Sequence, residues 1–153
     1  MTAYCDTSFF RRLLLPGEGR DSAEKAADTI MAEHGHIPLT TLTRLEVVQS
    51  IRFDVWRHAS NRRTGLDAAT ADTALNLFHA EVGAAFLSVP VSWEAVLAQA
   101  ELLTRQTPQH GWRCLDLIHV ATALNSGGTH FYSFDSDQNA LARAEAMETP
   151  LAR

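Results

Sequence analysis

Short apolar segments alternate with amphipathic segments along the whole chain, and this alternation constrains the fold more than any other feature. The predicted strands are residues 3–6, 37–40, 85–89 and 130–134. Helices are predicted near residues 8–15, 22–34, 44–59, 67–82, 93–107, 115–125 and 136–146. Apolar residues at helical spacing support those at 22–34 and 44–59, and the segment at 115–125 is apolar on almost every face, as in a buried helix. Strands that are separated by helices form a parallel sheet covered on both faces. The predicted fold class is therefore α/β.

Length and composition fit one soluble domain. A chain of 153 residues can bury one core but not two comfortable ones, so we expect a single domain over residues 1–153. No segment approaches the roughly 18 apolar residues of a membrane helix, and no signal peptide is visible. We therefore expect a cytoplasmic protein with no membrane partner. The net charge of −5 argues against a general nucleic-acid binder.

Four acidic residues lie where predicted strands end or predicted helices begin: Asp6, Glu46, Asp116 and Asp135. Most of them are flanked by apolar residues, and an ionised carboxylate there is costly unless it is paired, hydrogen-bonded or metal-bound. Sites of parallel sheets lie at the carboxyl ends of the strands, so all four side chains can reach one edge. Hard divalent cations prefer such oxygen ligands. The pattern predicts a metal-dependent hydrolase.

Each acid also has a purely structural explanation. Asp6 and Asp135 could be helix N-caps, residues 43–46 match a capping box that would use Glu46, and Asp116 could complement a helix dipole. Four independent caps need not converge on one edge, whereas a metal site must. Two carboxylates about 4 Å apart repel by roughly 4 kcal/mol at an effective dielectric near 20. A cluster of four would take up protons or cations, so the joint pattern favours the metal site.

Further polar residues lie beside the acids in the sequence. Ser8 and Ser133 could hydrogen-bond the carboxylates or a water molecule. Asp137 could help to bind metal, or could simply be favoured by the helix dipole. His119, one helical turn after Asp116, could carry a proton or could be a hydrogen-bonded core residue.

The order Asp–Glu–Asp–Asp in a small α/β chain resembles the PIN domain family, and in particular the VapC-type ribonuclease toxins of bacterial toxin–antitoxin pairs. The resemblance covers essentially the whole chain and is most specific at residues 4–8, 113–124 and 134–142. The four acids of the family map onto Asp6, Glu46, Asp116 and Asp135, with Ser133 before the last. The implied fold has three layers, with a short parallel sheet of four to five strands flanked by about seven helices. Residues 148–151 match the family's final strand poorly.

The resemblance implies an endoribonuclease that depends on Mg²⁺ or Mn²⁺ and hydrolyses RNA phosphodiester bonds. Asp6, Asp116 and Asp135 would bind metal, and Glu46 would bind a second ion or orient the water. A homodimer and a VapB-like antitoxin partner are also implied. The candidate substrate-binding residues are Arg11, Arg12, Trp112 and Arg113. Trp112 could instead belong to the core or to a dimer interface.

Two related functions stay open, namely a PIN-type nuclease in general RNA processing and a non-catalytic PIN binding module. A phosphotransferase of the haloacid dehalogenase kind is disfavoured, because it needs a second Asp where this chain has Ser8. A response regulator needs a Lys late in the chain, whereas Lys25 is the only lysine.

Overall fold

The computed structural model describes residues 3–152 as short parallel strands connected by helices. The strands are β1 (Ala3–Cys5), β2 (Ile37–Leu39), β3 (Phe86–Ser88) and β4 (His130–Tyr132). The helices are α1 (Thr7–Leu14), α2 (Arg20–His34), α3 (Thr41–Ser60), α4 (Ala68–Glu81), α5 (Trp93–Leu103), α6 (Thr107–His110), α7 (Cys114–Asn125) and α8 (Ser136–Ala144). The predicted α/β class is confirmed, and seven of these helices are eight residues or longer.

The strands form two parallel pairs. β1 pairs with β4, with Tyr4 opposite Phe131, and β2 pairs with β3, with Pro38 opposite Leu87. β1 also lies against β2. The doubtful final strand is reduced to one bridge, in which the amide of Phe131 donates to the carbonyl oxygen of Glu148 at 2.7 Å.

Helices cover both faces of these strands, which gives the three layers. Successive residues of a strand point to opposite faces, and β1 divides its buried side chains accordingly. Ala3 and Cys5 belong to a core cluster with Phe9 and Phe10 of α1. Tyr4 belongs to a second cluster with residues of α5, α7 and α8. Because β1 is buried on both faces, the residue that follows it emerges from the centre of the molecule.

Two differences from the predicted helices have a clear local cause. Helix α3 begins three residues early, because the Thr40 hydroxyl caps it by accepting from the amide of Thr43 at 3.1 Å. The predicted capping box at residues 43–46 is therefore wrong, and Glu46 lies in the second turn of α3. The sequence from Thr107 to Gly111 predicts a loop, but residues 107–110 form α6, since Pro108 is tolerated in the first turn of a helix. Over residues 3–152, no helix has the length and hydropathy that crossing a membrane requires.

Candidate active site

Asp6 follows β1, and its carboxylate is only 1% exposed yet richly hydrogen-bonded. The amide of Phe9 donates to Oδ1 at 2.9 Å, so Asp6 caps α1. The Ser8 hydroxyl lies 2.7 Å from Oδ1, and the Ser133 hydroxyl donates to Oδ2 at 2.8 Å. Burial raises the pKa of Asp6, and a charge on His119 and these donors offset that rise only in part. The positive charge and the donors around Asp6 therefore do not fully offset the cost of burying its ionised form.

Ser8 and Ser133 connect Asp6 to the segment that carries Asp135. The amide of Phe134 donates to the Ser8 hydroxyl at 2.7 Å. The amide of Asp135 donates to the Ser133 hydroxyl at 2.9 Å. Each serine thus accepts from one backbone amide and donates its own proton to Asp6. This arrangement holds the ends of β1 and β4 together.

Glu46 is paired with a buried histidine. Its Oε2 accepts from the Thr7 hydroxyl at 2.9 Å and lies 2.6 Å from Nε2 of His119. His119 is 1% exposed, and its Nδ1 lies 2.7 Å from the Tyr4 hydroxyl. Because that hydroxyl can donate to Nδ1 or accept from it, Nε2 can donate to Glu46 whether the ring is neutral or charged. The structure therefore gives His119 a buried position and a direct contact with a predicted site residue.

The pKa of His119 is set by three of the predicted acids. Burial lowers this pKa, but the hydrogen bond and charge of Glu46 and the charges of Asp6 and Asp116 more than offset burial and raise it. In turn, burial raises the pKa of Glu46, while His119 and Thr7 more than compensate and lower it. Glu46 therefore acts on the imidazole through a direct contact, whereas Asp6 and Asp116 act on it through their charges.

Asp116 and Asp135 are linked through Arg113. Asp116 lies in the first turn of α7 and accepts from the backbone amide of Arg113 at 3.0 Å and from its Nε at 3.4 Å. Asp135 caps α8 by accepting from the amides of Asp137 and Gln138 at 2.9 and 3.1 Å. Its Oδ2 lies 3.9 Å from Nη2 of Arg113. A guanidinium that is 72% exposed therefore provides the positive charge between these two carboxylates.

The donor chemistry of the four acids fits a hard cation such as Mg²⁺ or Mn²⁺, because every donor is a carboxylate oxygen. The carboxylates are held by amides, hydroxyls, His119 and Arg113. Among residues 3–152, no group of three or more His, Cys, Asp and Glu side chains is arranged so that it could hold a metal ion. The structure brings the acids into one region without forming a ready-made metal cluster.

The remaining predicted site residues lie around this region in different environments. Arg11 forms an ion pair with Asp54. Arg12 lies over the Phe134 ring, 5.7 Å from its centroid. Arg11 and Arg12 line one cavity of about 340 Å³ with Ser8, Phe134 and Asp135. Asp137 is exposed, and its amide contributes to the α8 cap.

Trp112 is a core residue. It is 9% exposed, belongs to the second core cluster, and stacks on His110 with the ring centroids 4.9 Å apart. This burial favours the core role over base stacking.

Sequence reasoning missed the hydroxyls of Tyr4 and Thr7. A tyrosine in a fully buried strand needs a hydrogen-bond partner, which was the available signal for Tyr4. Thr7 had no comparable signal, since its partner Glu46 is distant in the sequence.

The chain is a small α/β domain with parallel strands and helices on both faces. Its candidate site residues lie near the carboxyl ends of β1 and β4. The PIN domain family model matches residues 3–144, and the chain belongs to the PIN domain family, whose members are generally nucleases. Among solved structures, PAE2754 from Pyrobaculum aerophilum is similar with a TM-score of 0.57, over 98% of this chain and 90% of that chain. Its sequence is 15% identical, so this similarity shows the fold alone. No curated protein matches the chain.

Proposed function

We propose that the protein is a metal-dependent endoribonuclease and the toxin of a toxin–antitoxin pair. The observation that carries the proposal is the set of contacts around the four acids. Ser133 joins Asp6 to Asp135, Arg113 lies between Asp116 and Asp135, and Glu46 contacts His119. Membership of the PIN domain family supports the nuclease activity. The VapC-like segments at residues 113–124 and 134–142 support the toxin role and a cytoplasmic location.

Asp6, Asp116 and Asp135 would hold Mg²⁺ or Mn²⁺. When bound, such an ion supplies charge that stabilises the phosphodiester transition state and promotes ionisation of water. The raised pKa of Asp6 supports this role, because a nearby cation would stabilise the ionised form. Arg113 now lies between Asp116 and Asp135. Its exposed side chain is free to turn outward and contact the phosphate of the substrate.

Glu46 would orient the attacking water. Its Oε2 is held by Thr7 and His119. Within residues 3–152 its Oε1 has no hydrogen-bond partner, so that oxygen can accept a proton or a hydrogen bond from water. Two donors on one oxygen would limit rotation of the carboxylate.

A homodimer and a VapB-like antitoxin belong to the same proposal. The apolar side chains of Leu45, Phe53 and Trp56 on α3 are 67%, 49% and 62% exposed. Phe53 and Trp56 stack on each other with centroids 5.1 Å apart. Large exposed apolar groups on one helix are typical of a surface that a partner covers.

A non-catalytic PIN binding module is the second candidate. The observation that favours it is that the acids of residues 3–152 form no ready-made metal cluster. A nuclease of general RNA processing shares the proposed chemistry, and a neighbouring reading frame for a small antitoxin would separate the two roles.

Metal binding tests the proposed function without a known RNA target. We expect Mg²⁺ or Mn²⁺ to raise the melting temperature, because an ion that binds only the folded state stabilises it by mass action. At a hundred times Kd the gain is about 2.7 kcal/mol, or roughly 5–10 °C for a domain of this size. Differential scanning calorimetry of the wild type and Asp6→Asn measures the shift. No shift at millimolar metal would favour the binding module.

A further inference from the structure

Three cavities run in series away from the acids and share their walls. The first, of about 340 Å³, lies beside Asp135 and contains Arg11 and Arg12. The second, of about 240 Å³, shares Arg12 and Phe134 with the first and adds Arg143. The third, of about 400 Å³, shares Phe134 with both and adds Lys25. We call this series the cationic groove, lined by Arg11, Arg12, Arg143 and Lys25.

The groove concentrates positive charge on a protein whose net charge is −5. It holds four of the thirteen basic residues, including the only lysine. Among residues 3–152, the carboxylates that line it are Asp135, at the end beside the acids, and Glu18, in the second cavity. Arg11 is paired with Asp54, and the other described cations, Arg12, Arg143 and Lys25, are distributed over all three cavities.

Two of the arginines are positioned by contacts that leave donors available. Nη1 of Arg12 donates to the carbonyl oxygen of Glu18, and Nη1 of Arg143 donates to the Thr149 hydroxyl at 3.0 Å. A guanidinium carries five N–H donors, so one such bond leaves others for a ligand. Both side chains are exposed, as is that of Lys25. Each of the three cavities therefore presents at least one exposed cation to an anionic ligand.

We propose that the cationic groove binds the single-stranded RNA that flanks the scissile bond, with its phosphates on Arg12, Arg143 and Lys25. The choice of RNA among polyanions rests on the proposed nuclease function. Cations that recur from one cavity to the next suit a ligand with regularly spaced negative charges, such as the phosphates of RNA. The groove also begins at Asp135, where the proposed nuclease function places the scissile phosphate. Phe134 lines every cavity and Tyr132 lines the third. Such aromatic walls are typical of single-strand binding sites.

Binding of a labelled single-stranded RNA of mixed sequence, measured by fluorescence anisotropy in EDTA, tests this proposal in the absence of cleavage. We compare the wild type with Arg143→Gln and Lys25→Gln over a range of salt concentrations. Each lost phosphate contact lowers the slope of log affinity against log salt by about 0.7. Arg62→Gln is the matched control, because it removes the same charge from an exposed residue that lines none of the three cavities.

Weaker binding and a smaller slope for Arg143→Gln and Lys25→Gln, with no change for Arg62→Gln, is the expected result. If the slope of log affinity against log salt is the same for Arg143→Gln, Lys25→Gln and Arg62→Gln, the RNA-binding role of the groove is wrong. It is also wrong if the wild type does not bind RNA at low salt. If poly-glutamate displaces the RNA as well as an unlabelled RNA of equal charge does, the ligand is an acidic peptide and the choice of RNA is wrong. The experiment distinguishes failure of the RNA-binding proposal from failure of the proposed nuclease function. RNA binding without cleavage in Mn²⁺ would overturn only the nuclease function.

Discussion

Replacing Asp6 by Asn abolishes RNA cleavage and, in metal-free buffer, raises the melting temperature. Asn can still cap α1 by accepting from the amide of Phe9. It removes a charge whose burial raises the pKa of Asp6 in the folded state. Because the folded pKa lies above the unfolded one, the wild type loses stability as pH rises from the unfolded value toward the folded value. The asparagine side chain does not titrate. We therefore expect the melting temperature of Asp6→Asn to exceed that of the wild type at neutral pH, and the difference to vanish well below pH 3.8.

Asp67→Asn is the matched control for this prediction. Asp67 caps α4 in the same way, by accepting from the amide of Thr70 at 3.0 Å, but it is exposed and its pKa is lowered by that hydrogen bond. We expect Asp67→Asn to keep cleavage and not to gain stability. Cleavage should fall by about 10³-fold or more in Asp6→Asn, as when one member of a catalytic unit is removed. Thermal unfolding in EDTA and a cleavage assay with Mn²⁺ measure both effects. A lower melting temperature for Asp6→Asn would contradict the account of its buried charge.

Replacing His119 by Leu lowers kcat by about 10–100-fold, the usual cost of losing a group that orients a catalytic side chain. Glu46 loses the donor at 2.6 Å that holds its Oε2, so its other oxygen is no longer fixed. The buried Tyr4 hydroxyl also loses its partner at 2.7 Å, and an unpaired buried hydroxyl costs about 1–3 kcal/mol. We therefore expect reduced activity and a lower melting temperature, with KM little changed.

A double-mutant cycle separates the effect on catalysis from the effect on stability. If His119 acts through Glu46, His119→Leu costs little further kcat in a Glu46→Ala background, because neighbouring groups that act as a unit are non-additive. His119→Gln, which keeps a donor, should recover part of the lost kcat. Thr122→Val is a control on the same helix, since the Thr122 hydroxyl bonds only within α7 to Ile118 at 2.7 Å. If the fold loss of kcat in the double variant equals the product of the losses in the two single variants, His119 does not act through Glu46.

The strands and the long helices were predictable because their signals are local. Apolar segments mark the strands, helical spacing marks α2 and α3, and a long segment that is apolar on almost every face marks α7. The capping roles of Asp6 and Asp135 were predictable from their positions before helices, and the structure confirms both caps. The start of α3 was not predictable, because Thr40 and Thr43 are both suitable N-cap residues. The observed cap is Thr40, which is set by tertiary structure.

Contacts between distant parts of the chain were out of reach of sequence reasoning. The sequence allows His119 to be a core residue or a proton carrier, and the structure buries it with its Nε2 2.6 Å from Glu46. That pairing depends on where the fold places α3 relative to α7, which no local pattern encodes. The burial of Trp112 likewise follows from its stacking on His110 and its place in the second core cluster.

Cleavage of RNA by the purified protein, with Mn²⁺ or with EDTA and beside Asp116→Asn, is the most direct test of the central claim. Asp116 is 3% exposed and is held by the Arg113 amide, a bond that Asn can also accept, so this variant should stay folded. We expect cleavage by the wild type in Mn²⁺, none in EDTA and none by Asp116→Asn. Cleavage that persists in EDTA, or that survives in Asp116→Asn, would contradict a metal-dependent nuclease built on these acids.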